Sequence, residues 1–156
     1  MSAPRTSATV PAPDASSALQ ALKDRGLRVT AARRQVIEAL YAPDRPVTAE
    51  EIASGMYGRF LPCDIASVYR NLEALEDLGL VRHMHLGHGP GLYTPASLSD
   101  EYVACERCGR SEPVPADCLA LLRGAVAKAV GYRVSFVHLP LTGVCPTCQE
   151  KLHVRS

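Results

Sequence analysis

Tryptophan is absent and aromatic residues make up only 5% of the 156-residue chain. That excludes a core built on large rings and leaves Leu, Val, Ile and Ala to fill it. No apolar run approaches the ~20 residues of a membrane-spanning helix. The opening MSAPRTSATVPAPDASS lacks the apolar stretch of a secretory signal. The expectation is a soluble cytoplasmic protein with no membrane partner. An excess of one charge is also missing, since 17 cations and 16 anions leave a net +1. A nucleic-acid binder working by bulk charge alone is therefore excluded. Neither a nucleophile-elbow Ser motif nor His-Glu-x-x-His occurs, so nothing points to a hydrolase, and no enzymatic activity is expected. Hydrophobic residues reach 47%, enough for one domain or two small ones.

Charge is distributed unevenly. Lys23, Arg25, Arg28, Arg33 and Arg34 cluster around a single anion, Asp24, whereas Glu73, Glu76 and Asp77 form an acidic stretch. Residues 1–16 are rich in Ala, Ser, Thr and Pro without apolar periodicity and read as a mobile tail. Helical patterning begins at Ser17, which can cap a short helix carrying Leu19 and Leu22 and ending at Gly26. Thr30 caps the next, with Val36, Ile37 and Leu40 on one face. Thr48 and Glu51 have capping-box spacing before Ile52, Ala53 and Met56. Asp64 caps the clearest helix, IASVYRNLEALEDLG. Its Ile65, Val68, Leu72, Leu75 and Leu78 recur every three or four residues, predicting a continuous core stripe. Two extended stretches follow, near Leu80–Leu86 and Gly91–Thr94, joined by a Gly- and Pro-rich turn. Helices followed by a hairpin are the winged helix-turn-helix plan. Pro95–Asp100 reads as a hinge. The remainder reads as β-β-α-β: Glu101–Cys105, Glu112–Val114, a helix near Asp117–Val130 and a strand over Tyr132–Leu139.

Four of six cysteines form two pairs, Cys105-x-x-Cys108 and Cys145-x-x-Cys148, with 36 residues between them. Two intervening residues let both sulfurs of a pair bind one ion from a tight turn. Two such turns make a closed tetrahedral site, the geometry of structural zinc, with no open position for catalysis. The alternatives are buried thiols or a thiol-disulfide redox protein using its Cys-x-x-Cys pairs, which needs an exposed low-pKa thiolate. Cys63 and Cys118 stand outside the pattern and read as small buried residues. On the recognition helix, Ser67, Tyr69 and Arg70 project away from the leucine stripe near the end that meets base edges in a helix-turn-helix protein. Ser and Arg suit phosphate and guanine, and a Tyr ring can pack on a thymine methyl. The alternative is a solvated helix face.

The stretches GLRVTAARRQVIEAL, PVTAEEIA, DIASVYRNLEALEDLGLVRH, VACERCGR and GVCPTC together resemble the ferric uptake regulator (Fur) family of bacterial metal-sensing repressors, most like its zinc uptake regulator branch. The likeness runs from Leu22 to Cys148. It implies an α+β chain: a winged-helix DNA-binding domain over 17–94, a hinge at 95–100 and a C-terminal α/β dimerisation domain over 101–156. It also implies Zn2+ at the four cysteines and a second, regulatory divalent metal at the hinge. DNA contact falls on Tyr69 and Arg70, and the Thr-x-x-Arg opening of the second helix on Thr30 and Arg33. Two departures stand out. The family's His-rich cluster before the first cysteine pair is replaced by SLSDEY, and Arg45 and Pro46 occupy the loop where a His is usual.

Three of the five histidines remain close together, as His83-x-His85-x-x-His88. On a strand the first two point the same way, and Gly87 lets the third bend back, so three imidazoles can converge on Zn2+, Ni2+ or Fe2+. The alternative is a set of surface histidines. His83 also matches a ligand position of the zinc-sensing branch. Glu101, Asp100 or Glu112 can supply a fourth ligand, and His138 falls near a further family site. His153 reads as a solvated tail residue. The expectation is a homodimeric, zinc-responsive repressor of metal-uptake genes on a palindromic operator. The rival within the family senses iron, manganese, nickel or peroxide.

Overall fold

The computed structural model describes residues 10–85, 89–98, 101–134, 136 and 141–153. Helix α1 (Ala15–Asp24) begins earlier than its composition suggested. Its cap is Asp14, whose carboxylate accepts from the Ser17 amide at 2.7 Å and the Ser17 hydroxyl at 2.9 Å. The expected tail is also shorter than 1–16. Val10 donates its amide to the Gly79 carbonyl, Tyr41 donates its hydroxyl to the Ala12 carbonyl, and Ala12 is only 1% exposed. Ala12 packs into the core although its neighbours Pro11 and Pro13 are exposed, and a single buried alanine leaves no periodicity for sequence pattern to register.

Helix α2 (Ala31–Tyr41) is capped by Thr30, strand β1 is Val47–Thr48, and Thr48 caps the short α3 (Ala49–Ala53). The Thr48–Glu51 capping box is complete in both directions. Between α3 and the next helix, Gly55, Met56, Tyr57 and Gly58 all take positive φ. A side chain at Gly55 would lie 2.4 Å from the Phe60 carbonyl oxygen, so glycine is required there. Asp64 caps α4 (Ile65–Asp77), and the chain leaves α4 through Leu78 and the left-handed Gly79. Strands β2 (Val81–His85) and β3 (Gly91–Pro95) follow, and the sheet order is β1-β3-β2. Helix α2 packs on α1 and α4, and α3 packs on α4. Leu22, Ile37, Leu40, Ile52, Leu72 and Leu75 are among the most deeply buried side chains of the shared core. The stripe of α4 departs from expectation at one end: Val68, Leu72 and Leu75 are buried, but Ile65 is 40% exposed.

A second sheet has the order β5-β4-β6. Strand β4 (Glu101–Cys105) pairs antiparallel with β5 (Ser111–Val114) and parallel with β6 (Leu141–Gly143), with helix α5 (Ala116–Val130) crossing over and α6 (Pro146–His153) closing the chain. Of the strand expected over Tyr132–Leu139, residues 135 and 137–139 lie outside the described residues. Residues 132–134 and 136 are not in a strand, and the pairing falls on Leu141–Gly143, where the chain must run beside β4 to bring Cys145 back. The chain divides into two compact units, Met1–His83 with Gly91–Ser99, and Met84–Pro90 with Asp100–Ser156.

Leu72 has no exposed surface and joins α4 to the core. Leu72→Ala is expected to cost about 2–5 kcal/mol, read as a lower urea midpoint with an unchanged slope. A loss under about 1 kcal/mol contradicts this packing.

Candidate metal centre and nucleic-acid interface

The four paired cysteines converge. Their sulfurs all lie within 4.8 Å of one another, and the Cys108 and Cys145 sulfurs are 3.7 Å apart. Zinc–sulfur bonds of about 2.3 Å in a tetrahedron put sulfurs about 3.8 Å apart, so the cage fits Zn2+. Local backbone builds it. Gly109, with φ +72°, turns the chain after Cys108 so that its amide reaches the Cys105 carbonyl, while the Cys105 amide reaches the Arg110 carbonyl. The second pair lies at the start of α6, where the Cys148 amide donates to the Cys145 carbonyl. The Cys145 amide donates to the Cys105 sulfur at 3.4 Å. That bond, with further backbone donors at Cys108 and Arg107, holds the Cys105 thiol down to about 6. Cys148 is pushed up to about 12, first by its hydrogen bond with Cys145, then by desolvation and the neighbouring sulfurs. Binding an ion at the four sulfurs displaces the remaining thiol protons, which leave to solvent.

Cys63 is half-buried at the edge of the first core, and burial, then Asp64, raises its thiol above the ordinary value. Cys118 is exposed on α5, contrary to its reading as a buried residue. It falls in the first turn of a helix that buries only Leu119.

The histidine cluster is described only in part. His88, Asp100 and His138 lie outside the described residues. His83 is half-buried and stacks on Tyr93, with ring centroids 4.5 Å apart and planes 5° from parallel. Its Nε2 is buried against the wing, where a side chain at Gly91 would come within 2.4 Å of it. Its Nδ1 faces the Glu76 carboxylate at 4.0 Å. His85, two residues on, is exposed. Glu101 is buried and its carboxylate accepts from Arg123 at 2.9 Å, while the Arg123 guanidinium lies 5.5 Å from the Phe136 ring centre. Glu112 is exposed. Among the described residues, only the four cysteines bring three or more metal-ligating side chains together.

Helix α4, expected to be the recognition helix, presents Tyr69 and Arg70 to solvent and leaves Ser67 half-buried. Tyr69 donates its hydroxyl to Glu50 of α3 at 2.9 Å, and this bond, ahead of desolvation, raises its pKa. Thr30 is spent on its cap, accepting from the Arg33 amide at 3.2 Å. Arg33 donates to Asn71 of α4 and to the Arg28 carbonyl, and Asn71 donates back to the Ser67 carbonyl. Arg33 therefore ties α2 to the recognition helix. Arg25 likewise donates to the Leu78 carbonyl at the end of α4. In the loop before α3, Arg45 grips Glu51 with two nitrogens, at 2.6 and 3.3 Å. Burial alone would raise the Glu51 pKa, but Arg45 and the Thr48 amide outweigh it and hold the carboxyl low. Glu50, Asn71 and Arg123 were not singled out by sequence, and Glu76 only as part of an acidic stretch. Their partners lie 7 to 38 positions away along the chain, and no local motif marks such pairs.

Residues 24–142 match the ferric uptake regulator family. The chain belongs to that family. Its fold is accordingly an N-terminal winged-helix DNA-binding domain and a C-terminal dimerisation domain, and it is a metal-responsive transcriptional regulator. The peroxide operon regulator of Bacillus subtilis is 29% identical over 134 residues, spanning 86% of this chain and 92% of that protein. The Vibrio cholerae ferric uptake regulator is similar at 27% identity and a TM-score of 0.65, over 81% of this chain and 98% of that one. The Helicobacter pylori ferric uptake regulator shares the fold at 21% identity and a TM-score of 0.69, over 86% of this chain and 93% of that one. Relatives thus include peroxide and iron regulators, and the likeness is to the family rather than to its zinc branch in particular. No helix among the described residues is long and apolar enough to cross a membrane.

The sulfur cage makes a pH prediction. Binding requires thiolates, so protons compete with the ion, and affinity falls as pH falls. A chelator is expected to release metal faster on acidification and to expose four thiols to titration only after release. More than the two thiols outside the cage, Cys63 and Cys118, reacting before chelation contradicts the cage.

Proposed function

We propose that this chain is a zinc-responsive repressor of metal-uptake genes, acting as a homodimer on a palindromic operator. The outward face of α4 carries the reading: Tyr69 and Arg70 are exposed at the base-reading end while Val68, Leu72 and Leu75 are buried behind them. Each subunit lays this helix in a major groove. Tyr69 and Arg70 face base edges, and Ser67 the backbone beside them. Thr30 and Arg33 fix the opening of α2 against α4 next to the phosphates.

Zn2+ at Cys105, Cys108, Cys145 and Cys148 supplies a cross-link worth on the order of 10–16 kcal/mol in small zinc modules. A second copy covers α5, whose Leu121, Leu122 and Val130 are exposed. The winged-helix domain spans 17–94, the hinge 95–100 and the dimerisation domain 101–156. The regulatory ion takes His83, His85 and His88, with Glu101 and His138 as further donors. His83 offers Nδ1 on the side of Glu76, and Glu101 must first part from Arg123. Nitrogen-rich ligation favours zinc over manganese. Metal response requires the ion to bind the operator-competent arrangement more tightly than the other. A thousandfold bias needs roughly 4 kcal/mol.

A second reading, peroxide sensing, is favoured by the identity to the Bacillus subtilis peroxide operon regulator. Operator binding measured with and without Zn2+ separates the two. Wild type is expected to bind at least tenfold more tightly with Zn2+, and His83→Ala to lose most of that gain while keeping its fold. Metal-independent binding by both proteins overturns the switch. Binding that requires Fe2+ and is lost on adding hydrogen peroxide selects the second reading.

A further inference from the structure

The recognition helix carries an apolar side chain that the core does not use. Ile65 continues the spacing of Val68, Leu72 and Leu75, yet it is 40% exposed, whereas those three are buried. It occupies the first helical position after the Asp64 cap. Four residues on, and so on the same face, Tyr69 is 43% exposed. The Tyr69 hydroxyl is held by Glu50, which turns the tyrosine into a fixed ring edge. Ala66 and Arg70, again four apart and both exposed, form the adjoining face. The leading end of α4 therefore offers an apolar strip flanked by a guanidinium.

From this strip we infer that Ile65 is a specificity-determining residue that reads thymine by its 5-methyl group. This rests on the reading of α4 as the helix that enters the major groove. The methyl is the one apolar feature of the major-groove edge, and it suits an aliphatic side chain that has no polar atom to satisfy. Arg70 on the adjoining face supplies the charge complementarity that keeps the strip against DNA. Tyr69 continues the apolar contact one turn further along, with Glu50 as its positioning residue. Base pairs facing Ile65 are therefore selected as thymine over cytosine, which presents no methyl there.

The test uses full-length metal-loaded protein and a duplex it selects from a random-sequence pool, with each thymine replaced in turn by uracil. That replacement deletes only the methyl. Wild type is expected to lose about three- to fivefold in affinity at one or two positions of each half-site. Ile65→Ala should bind the thymine duplex more weakly by a similar factor and be indifferent to uracil at those positions. Ile65→Val, which keeps a branched side chain, should fall between. Uracil penalties that are the same in wild type and Ile65→Ala at every position overturn the inference, as does a change in oligomeric state on mutation without a change in methyl dependence. Arg70→Ala separates the levels of the argument. If it binds the selected duplex as wild type does, the reading of α4 itself fails. If it binds poorly while Ile65→Ala behaves as wild type, only the role of Ile65 is lost.

Discussion

Four sulfurs within 4.8 Å of one another are the constraint on which the second half of this protein depends. The two halves differ in how they are held. The large buried cluster, from Ala12 to Tyr93, draws only on the first unit. From Glu101 onward the buried apolar residues described are Tyr102, Ala104, Cys105, Leu119 and Cys148, and two of these five are themselves cage residues. A sheet of three short strands with so little packing behind it gains little from burial alone. A cation held by the cage would join the turn after β4 to the start of α6 and tie the two ends of the unit at one point. The parallel pairing of β6 with β4 follows from the same need, since it delivers Cys145 beside Cys105.

Guanidinium groups do a second kind of holding. Arg25 closes the end of α4, Arg33 bridges α2 and α4, Arg45 clamps Glu51, and Arg123 clamps Glu101. A sequence rich in arginine near a helix-turn-helix invites reading every one as a phosphate contact. Here Arg25 and Arg33 spend donors on tying α4 to its neighbours, so the base reading proposed above falls to the side chains on the outward face of α4. The Arg123–Glu101 pair has a further consequence. A carboxylate counted as a metal donor already has a cation, so any ion drawing on it competes with an internal partner.

Much of this was legible in the residues because it is local. Thr30, Thr48 and Asp64 cap the helices their spacing suggested, and the two Cys-x-x-Cys turns meet. The misreadings have physical causes. Asp14 rather than Ser17 caps α1, because the longer carboxylate reaches both the amide and the hydroxyl of Ser17. Ile65 has core spacing but lies beyond the end of the surface that α4 packs against. Residues 132–134 and 136, expected in a strand, are not in one, and the strand that pairs with the second edge of β4 is Leu141–Gly143. The contacts Tyr69–Glu50, His83–Glu76 and Arg123–Glu101 depend on tertiary approach and leave no trace in spacing.

X-ray absorption at the zinc edge of the purified protein tests the central claim most directly. The account predicts a tightly held ion with four sulfur neighbours at about 2.3 Å, unchanged by mild chelation. A first shell dominated by nitrogen and oxygen for that tightly held ion would contradict it.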